Sequence, residues 1–167
     1  MRTAGTPIGD NVEGQDQAVL AATPDGKTLY VADTEMGWVT PISTATNTAG
    51  SPITTGAGPY AIAVAPDGST AYVANSGAGT VTANSTATGA PGRPIKVGQM
   101  LLRIAITPNG RTVYALGLDG MTPISTATGL AGPLIRTEGT ITGIVFTPDS
   151  RTAHAVDASE GTVTRSR

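Results

Sequence analysis

Tyr60-Ala61-Ile62-Ala63-Val64-Ala65-Pro66-Asp67-Gly68-Ser69-Thr70-Ala71-Tyr72-Val73-Ala74-Asn75 reads as strand, turn, strand. Ile62 and Val64 share one face of an extended chain by its two-residue period, while Ala61 and Ala63 occupy the other. Pro66 presets φ, Asp67 bonds back to its own turn, and Gly68 takes positive φ, which together make a tight hairpin. Thr70 to Ala74 then supplies the β-branched and aromatic residues that suit a pleated, half-buried surface.

The unit recurs. Pro24-Asp25-Gly26, Pro66-Asp67-Gly68, Pro108-Asn109-Gly110 and Pro148-Asp149-Ser150 lie 42, 42 and 40 residues apart. The shortfall sits in one loop: Tyr30 to Val39 and Tyr72 to Val81 are each nine apart, but Tyr114 to Met121 is seven. Ser150 replaces the turn glycine in the last unit, at roughly 1 kcal/mol if the left-handed conformation is kept. Ahead of each Pro come Leu20 and Ala22, Ile62 and Val64, Ile104 and Ile106, or Ile144 and Phe146. A third strand follows around Trp38–Ile42, Thr80–Thr82, Met121–Ile124 and Thr162–Thr164, then a polar Ser-Thr-Ala-Thr turn at 43–46, 85–88 and 125–128. A weak outer strand comes last, around Pro52-Ile53, Pro94-Ile95 and Leu134-Ile135. Asn84 and Ser166 stand where other units have Ile42 and Ile124, which reads as a strand edge facing water.

A segment of about forty residues cannot bury its own apolar faces, so like copies must stack side by side around an axis. The expected fold is therefore all-β: a β-propeller of four four-stranded antiparallel blades in a single domain, 1–167. The blades run approximately 17–56, 59–98, 101–137 and 141–167 plus 3–8. Thr3-Ala4-Gly5-Thr6-Pro7-Ile8 matches Thr48-Ala49-Gly50-Ser51-Pro52-Ile53, so the N-terminal strand is expected to complete the last blade. Half of an eight-bladed homodimer, or a fragment of a larger propeller, are the alternatives.

The repeat resembles the YVTN-type β-propeller repeats of bacterial and archaeal surface and periplasmic proteins. The residues that carry this are Tyr60 to Gly68, Thr70-Ala71-Tyr72-Val73-Ala74-Asn75, Gly79-Thr80-Val81-Thr82 and Leu29-Tyr30-Val31-Ala32-Asp33. Ala32 and Ala74 depart from it, standing where the family has Thr. The resemblance implies an extracellular or cell-surface setting and, through propellers of the lactonase type, an alternative function as a metal-assisted hydrolase.

Composition narrows the function classes. Charged residues are 13% and hydrophobic residues 39%, which disfavours disorder. There is no cysteine, hence no disulfide, thiolate nucleophile or thiolate ligand. Charge is uneven: residues 1–92 carry seven acids and two bases, or −5, and residues 93–167 five acids and eight bases, or +3. No basic run is interleaved with aromatics, so no nucleic-acid partner is expected. Met1 to Ile8 lacks the apolar core of a signal peptide, and no apolar run reaches the ~18 residues of a membrane helix, so no membrane insertion is expected.

Candidate chemistry is thin. His154 is the only histidine and stands in the Tyr30/Tyr72/Tyr114 position, which reads as a drifted core aromatic rather than a base. Asp33, Asn75 and Asp157 recur after the second strand, with Gly117 in the third unit. They offer oxygens to a hard cation, but equally suit a turn. Arg103 is the lone charge on the innermost strands. Trp38 with Glu35-Met36-Gly37 forms the bulkiest loop and is the best candidate contact surface. No catalytic, cofactor-binding or metal residues are assigned and no cofactor is expected. The expectation is a non-enzymatic binding or scaffolding module for an unknown protein or small-molecule ligand, with a homodimer possible.

Overall fold

A computed structural model describes residues 19–137, 139–157 and 162–166, and these form antiparallel strands and turns without a helix. The first sheet holds β1 (Val19–Ala22), β2 (Thr28–Asp33), β3 (Trp38–Ser43), β4 (Thr48–Ala49) and β5 (Ile53–Thr54). Both β4 and β5 pair with β3, so the outer strand is broken in two. The second runs β6 (Pro59–Val64), β7 (Thr70–Asn75), β8 (Thr80–Ser85) and β9 (Ile95–Lys96). The third runs β10 (Leu101–Ile106), β11 (Thr112–Gly117), β12 (Gly120–Ser125) and β13 (Ile135–Arg136). The fourth shows β14 (Ile141–Phe146), β15 (Ala153–Asp157) and β16 (Thr162–Ser166). The outer strand expected from residues 3–8 lies outside the described residues.

The innermost strands follow one another in space, β1 beside β6, β6 beside β10 and β10 beside β14. The second and third sheets therefore each turn one face to the preceding sheet and the other to the following one. Ile62 and Val64 pack with Ala71 and Val73 against Tyr30, Ala32, Val39 and Ile53 of the first sheet. Ile104 and Ile106 meet Tyr72, Ala74 and Val81 in the same way, and Ile144 with Ile141 and Ala155 meets Leu116 and Met121. Tyr114 lies with its ring 5.4 Å from that of Phe146, tying the third sheet to the fourth. This is the blade-on-blade core that the two-residue period implied. The loop between a sheet's second and third strands holds residues 34–37 and 76–79 in the first two sheets but only Leu118 and Asp119 in the third, which accounts for the 40-residue spacing.

Two features of the sheets were not legible beforehand. The innermost strand carries an irregularity at the same place in three sheets, between Pro59 and Ala61, Leu101 and Arg103, and Ile141 and Gly143. The extra residue lets Pro59, Leu101 and Ile141 all turn inward and become buried. The second feature is a polar seam between blades. Thr82 donates its hydroxyl to the Thr55 carbonyl at 2.9 Å, and Thr122 repeats that bond to Val97 at 3.0 Å.

Asn84 corrects the sequence reading. It is not at a water-facing edge but 1% exposed, paired with Ala71 on the side facing the first sheet. Burial at this position is set by the neighbouring blade, which covers it whatever the side chain. Neither Nδ2 nor Oδ1 of Asn84 has a hydrogen-bond partner among the described residues. A buried polar group left unpaired costs about 1–3 kcal/mol. The side chain of Ser166, the other half of that expectation, lies outside the description.

The fourth sheet is different in one respect. Val145, Val156 and Val163 stand where Ala63, Ala74 and Val81 stand in the second sheet, on the side that faces a following blade. Among the described residues nothing covers them: Val145 is 66% and Val163 65% exposed.

Two outcomes follow from these positions. Val81→Asp buries an unpaired charge between blades and should cost more than about 4 kcal/mol, whereas Val163→Asp at the equivalent place should change stability by no more than about 1 kcal/mol. Denaturant melts of both variants check this. Asn84→Ile restores the side chain of the first and third repeats and should raise stability by about 1–3 kcal/mol, read from the unfolding midpoint at unchanged m-value.

Candidate binding clefts

The Pro-Asp-Gly turns join the first two strands of each blade, and their local chemistry is repeated almost unchanged. In the first, Asp25 Oδ1 accepts from the Thr23 hydroxyl at 2.6 Å and from the Lys27 backbone N–H at 3.0 Å. In the third, Asn109 Oδ1 accepts from Thr107 at 2.8 Å and Arg111 N–H at 3.0 Å. Asp149 accepts likewise from Thr147 and Arg151. The second blade has Ala65 in place of the threonine, and Ser69 supplies both bonds, N–H at 2.9 Å and hydroxyl at 2.8 Å. Gly26, Gly68 and Gly110 sit at φ 68°, 75° and 68°, as this turn requires.

A second turn is clamped onto the first. Thr44, Thr86 and Thr126, from the Ser-Thr-Ala-Thr repeat, donate their hydroxyls to the carbonyls of Gly26, Gly68 and Gly110 at 2.7, 2.6 and 2.8 Å. Both turns of a blade thus lie at one end of the sheet, and neighbouring blades touch there. A Cβ on Gly68 would come within 3.6 Å of Pro24, and one on Gly110 within 3.5 Å of Pro66. Ser150 holds φ 59°, the left-handed conformation expected, and its Oγ accepts from the Asn109 N–H at 3.0 Å. That bond between blades offsets part of the strain of a non-glycine residue there.

Between successive turns the blades splay and leave clefts. The cleft between the first and second blades, about 350 Å³, is lined by Pro24, Asp25, Lys27 and Thr28 on one side and Asp67 and Thr86 on the other. The cleft between the second and third, about 310 Å³, is lined by Pro66, Asp67, Ser69 and Thr70 facing Asn109 and Thr126. These linings correspond residue by residue: 24, 25, 27, 28 and 67 each shift by 42, and 86 shifts by 40. Tyr72, otherwise buried between the sheets, also borders the second cleft. Burial raises its phenol above the ordinary value of 10.0, and nearby Asp67 adds to the rise. Tyr30 is raised by burial as well.

The turn carboxylates are shifted the other way. The Thr23 hydroxyl, then the Lys27 N–H, hold Asp25 below the ordinary 3.8. The backbone and hydroxyl of Ser69 do the same for Asp67, and Thr147 and the Arg151 N–H for Asp149. All three are therefore ionised at neutral pH.

The residues singled out in the sequence are placed elsewhere. Asp33 is buried, its Oδ1 accepting from the N–H groups of Glu35 and Met36 at 3.0 and 2.9 Å. Asn75 is buried and donates to the hydroxyls of Thr80 and Thr82 at 3.2 and 3.0 Å. Asp157 ends β15, and Gly117 opens the short hairpin. Each serves a different blade, and among the described residues no three His, Cys, Asp or Glu gather as a metal would need. His154 pairs with Val145 in the sheet, in the tyrosine column. Arg103 is exposed and folds back to donate to the Leu102 carbonyl at 3.0 Å. Trp38 is half-buried, with Nε1 buried and without a partner among the described residues, while Glu35 and Met36 are exposed. The clefts escaped the sequence reading because their walls lie about one repeat apart. The recurring turn and Ser-Thr-Ala-Thr motifs were visible, and so was the stacking of copies, but not the space left between neighbouring turns.

The turn carboxylates carry a pH dependence with a definite sign. Their folded pKa values lie below the unfolded ones, so their contribution is present above the ordinary value of 3.8 and lost as pH falls through the folded values. Tyr30 and Tyr72 lie above 10.0, so theirs is complete below 10.0 and lost as pH rises past it. Thermal melts across pH should show a plateau falling at both ends, and Asp67→Asn should soften the acid limb.

Comparison with known proteins bears on the fold alone. No family model and no curated protein matches the chain. Among solved structures it is similar to Kuenenia stuttgartiensis hydrazine synthase, a β-propeller-containing protein, with a TM-score of 0.81 at 23% identity. The match covers 99% of this chain and 52% of that one, so the chain spans about half the length of the structure it resembles. The chain has an all-β, propeller-like fold built of four antiparallel sheets.

Proposed function

We infer that the chain is a non-enzymatic β-propeller module that binds or scaffolds a partner, an unidentified protein or small molecule, through the end of the blades carrying the Pro-Asp-Gly turns. The observation that carries this reading is the pair of clefts with corresponding linings, each near the lower end of the roughly 300–1,000 Å³ typical of ligand sites. A YVTN-type repeat, a cell-surface setting and pairing with a second copy belong to the same proposal. The lactonase-like alternative draws no support from Asp33, whose Oδ1 is taken up in its own turn, or from Asn75, whose Nδ2 is bonded within its blade and whose buried Oδ1 has no metal-holding cluster of side chains gathered beside it among the described residues.

The test is a ligand screen on isotope-labelled protein by amide chemical shifts, with simple lactones and calcium included. Binders should shift the amides of Gly26, Gly68 and Gly110 and their neighbours, and the lactone signals should persist. Shifts confined to residues 34–37 and 76–79 would move the working surface to the opposite end. Lactone turnover would replace the module by an enzyme.

A further inference from the structure

The two clefts share a wall, and this deepens the binding role on which the inference rests. Asp67 lines both. Its bonds from Ser69 N–H and hydroxyl both fall on Oδ1, and among the described residues no side-chain bond falls on Oδ2, the acceptor offered to a ligand. Around it the linings carry hydroxyls: Ser69, Thr70, Tyr72 and Thr126 in one cleft, Thr23, Thr28 and Thr86 in the other. Pro24, Pro66 and Pro108 add flat apolar surface.

The charge of these linings selects against several ligand classes. Among the described residues Lys27 is the only basic side chain on either, and it lies 3.6 Å from Asp25. An anion would face ionised carboxylates with no unpaired cation to offset them. A hard cation demands several carboxylate or carbonyl oxygens converging at short range, whereas here one oxygen of each turn carboxylate is engaged within its own turn. A neutral ligand with many hydroxyls fits instead. A carboxylate oxygen accepts strongly from hydroxyl donors, the Ser69, Thr86 and Thr126 oxygens, whose own protons go to Asp67, Gly68 and Gly110, accept from a ligand's hydroxyls, and apolar ring faces rest on proline.

We propose that the two clefts are adjoining subsites for one linear, neutral oligosaccharide, with Asp67 between them contacting sugar units on both sides. The repeat supplies two like subsites side by side, and a polymer of like units engages both at once. Asn109 takes the Asp67 place in the next blade and folds the same turn, so an amide at position 67 is compatible with the structure.

Isothermal titration of the full chain with cellohexaose, maltohexaose and chitohexaose, each beside its disaccharide, tests this, with hexalysine as the competing chemistry. At least one hexaose should bind more than about tenfold more tightly than its disaccharide, because the second subsite is filled intramolecularly. Asp67→Asn should weaken that binding about tenfold by removing a charge-assisted hydrogen bond. Tyr72→Phe, which removes only a hydroxyl, should weaken it as well, both variants melting as folded proteins. Heat from none of the hexaoses, equal affinity for hexaose and disaccharide, or binding indifferent to both substitutions overturns the proposal. Hexalysine binding that Asp67→Asn abolishes would overturn the sugar assignment while leaving the clefts as a binding surface. Silence from every probe here and in the ligand screen would remove the binding reading itself.

Discussion

The contact that everything else hangs on is between the faces of successive sheets, where Tyr30, Ala32 and Val39 of one blade meet Ile62, Val64 and Val73 of the next. A single blade has apolar residues on both faces and no layer of its own to cover them. Burying one valine contributes roughly 1.5–3 kcal/mol, so a blade left alone forfeits most of what would order it. Stacking supplies the cover twice per internal blade. The small residues of the innermost strand, Ala61, Ala63 and Ala105, keep that stack close where the strands converge.

Apolar faces are non-directional, so they do not fix how one blade sits along another. Polar bonds at the two ends of the sheets do. Thr82 to Thr55 and Thr122 to Val97 pin the second and third blades to the residue just after the outer strand of the preceding blade. At the other end Pro24 and Pro66 abut Gly68 and Gly110, and Ser150 bonds the Asn109 N–H. Within each blade the threonine clamps on Gly26, Gly68 and Gly110 hold the two turns together. The clefts are what remains between turns fixed in this way, and their repetition follows from that of the clamps.

Much of this was legible because the repeat is written in residues with strong local meaning. Pro-Asp-Gly marks a turn, alternating Ile and Val marks a face, and the seven-residue gap from Tyr114 to Met121 located a shorter loop that proved to be Leu118-Asp119. What failed was inference from one residue's polarity. Asn84 looked solvent-facing because Asn usually is, but its environment belongs to the column shared with Ile42 and Ile124. The irregularity after Pro59, Leu101 and Ile141 was hidden because one inserted residue leaves the apolar alternation on either side intact. The clefts were hidden for another reason: each needs two repeats, and local pattern describes one.

Repetition also separates what each blade must keep from what it is free to change. The tyrosine column holds its ring in the first three blades, each packed toward a following sheet, and admits His154 only in the fourth. The neighbouring column is Ala32, Ala74 and Leu116 where it is covered, and Val156 where it is open. Close packing penalises a polar or oversized side chain only where another sheet lies against it. The fourth blade therefore keeps the strand pattern, the turn and the incoming face of Ile141, Ile144 and Ala155. Its relaxed outgoing face is the part of the repeat that no described neighbour constrains.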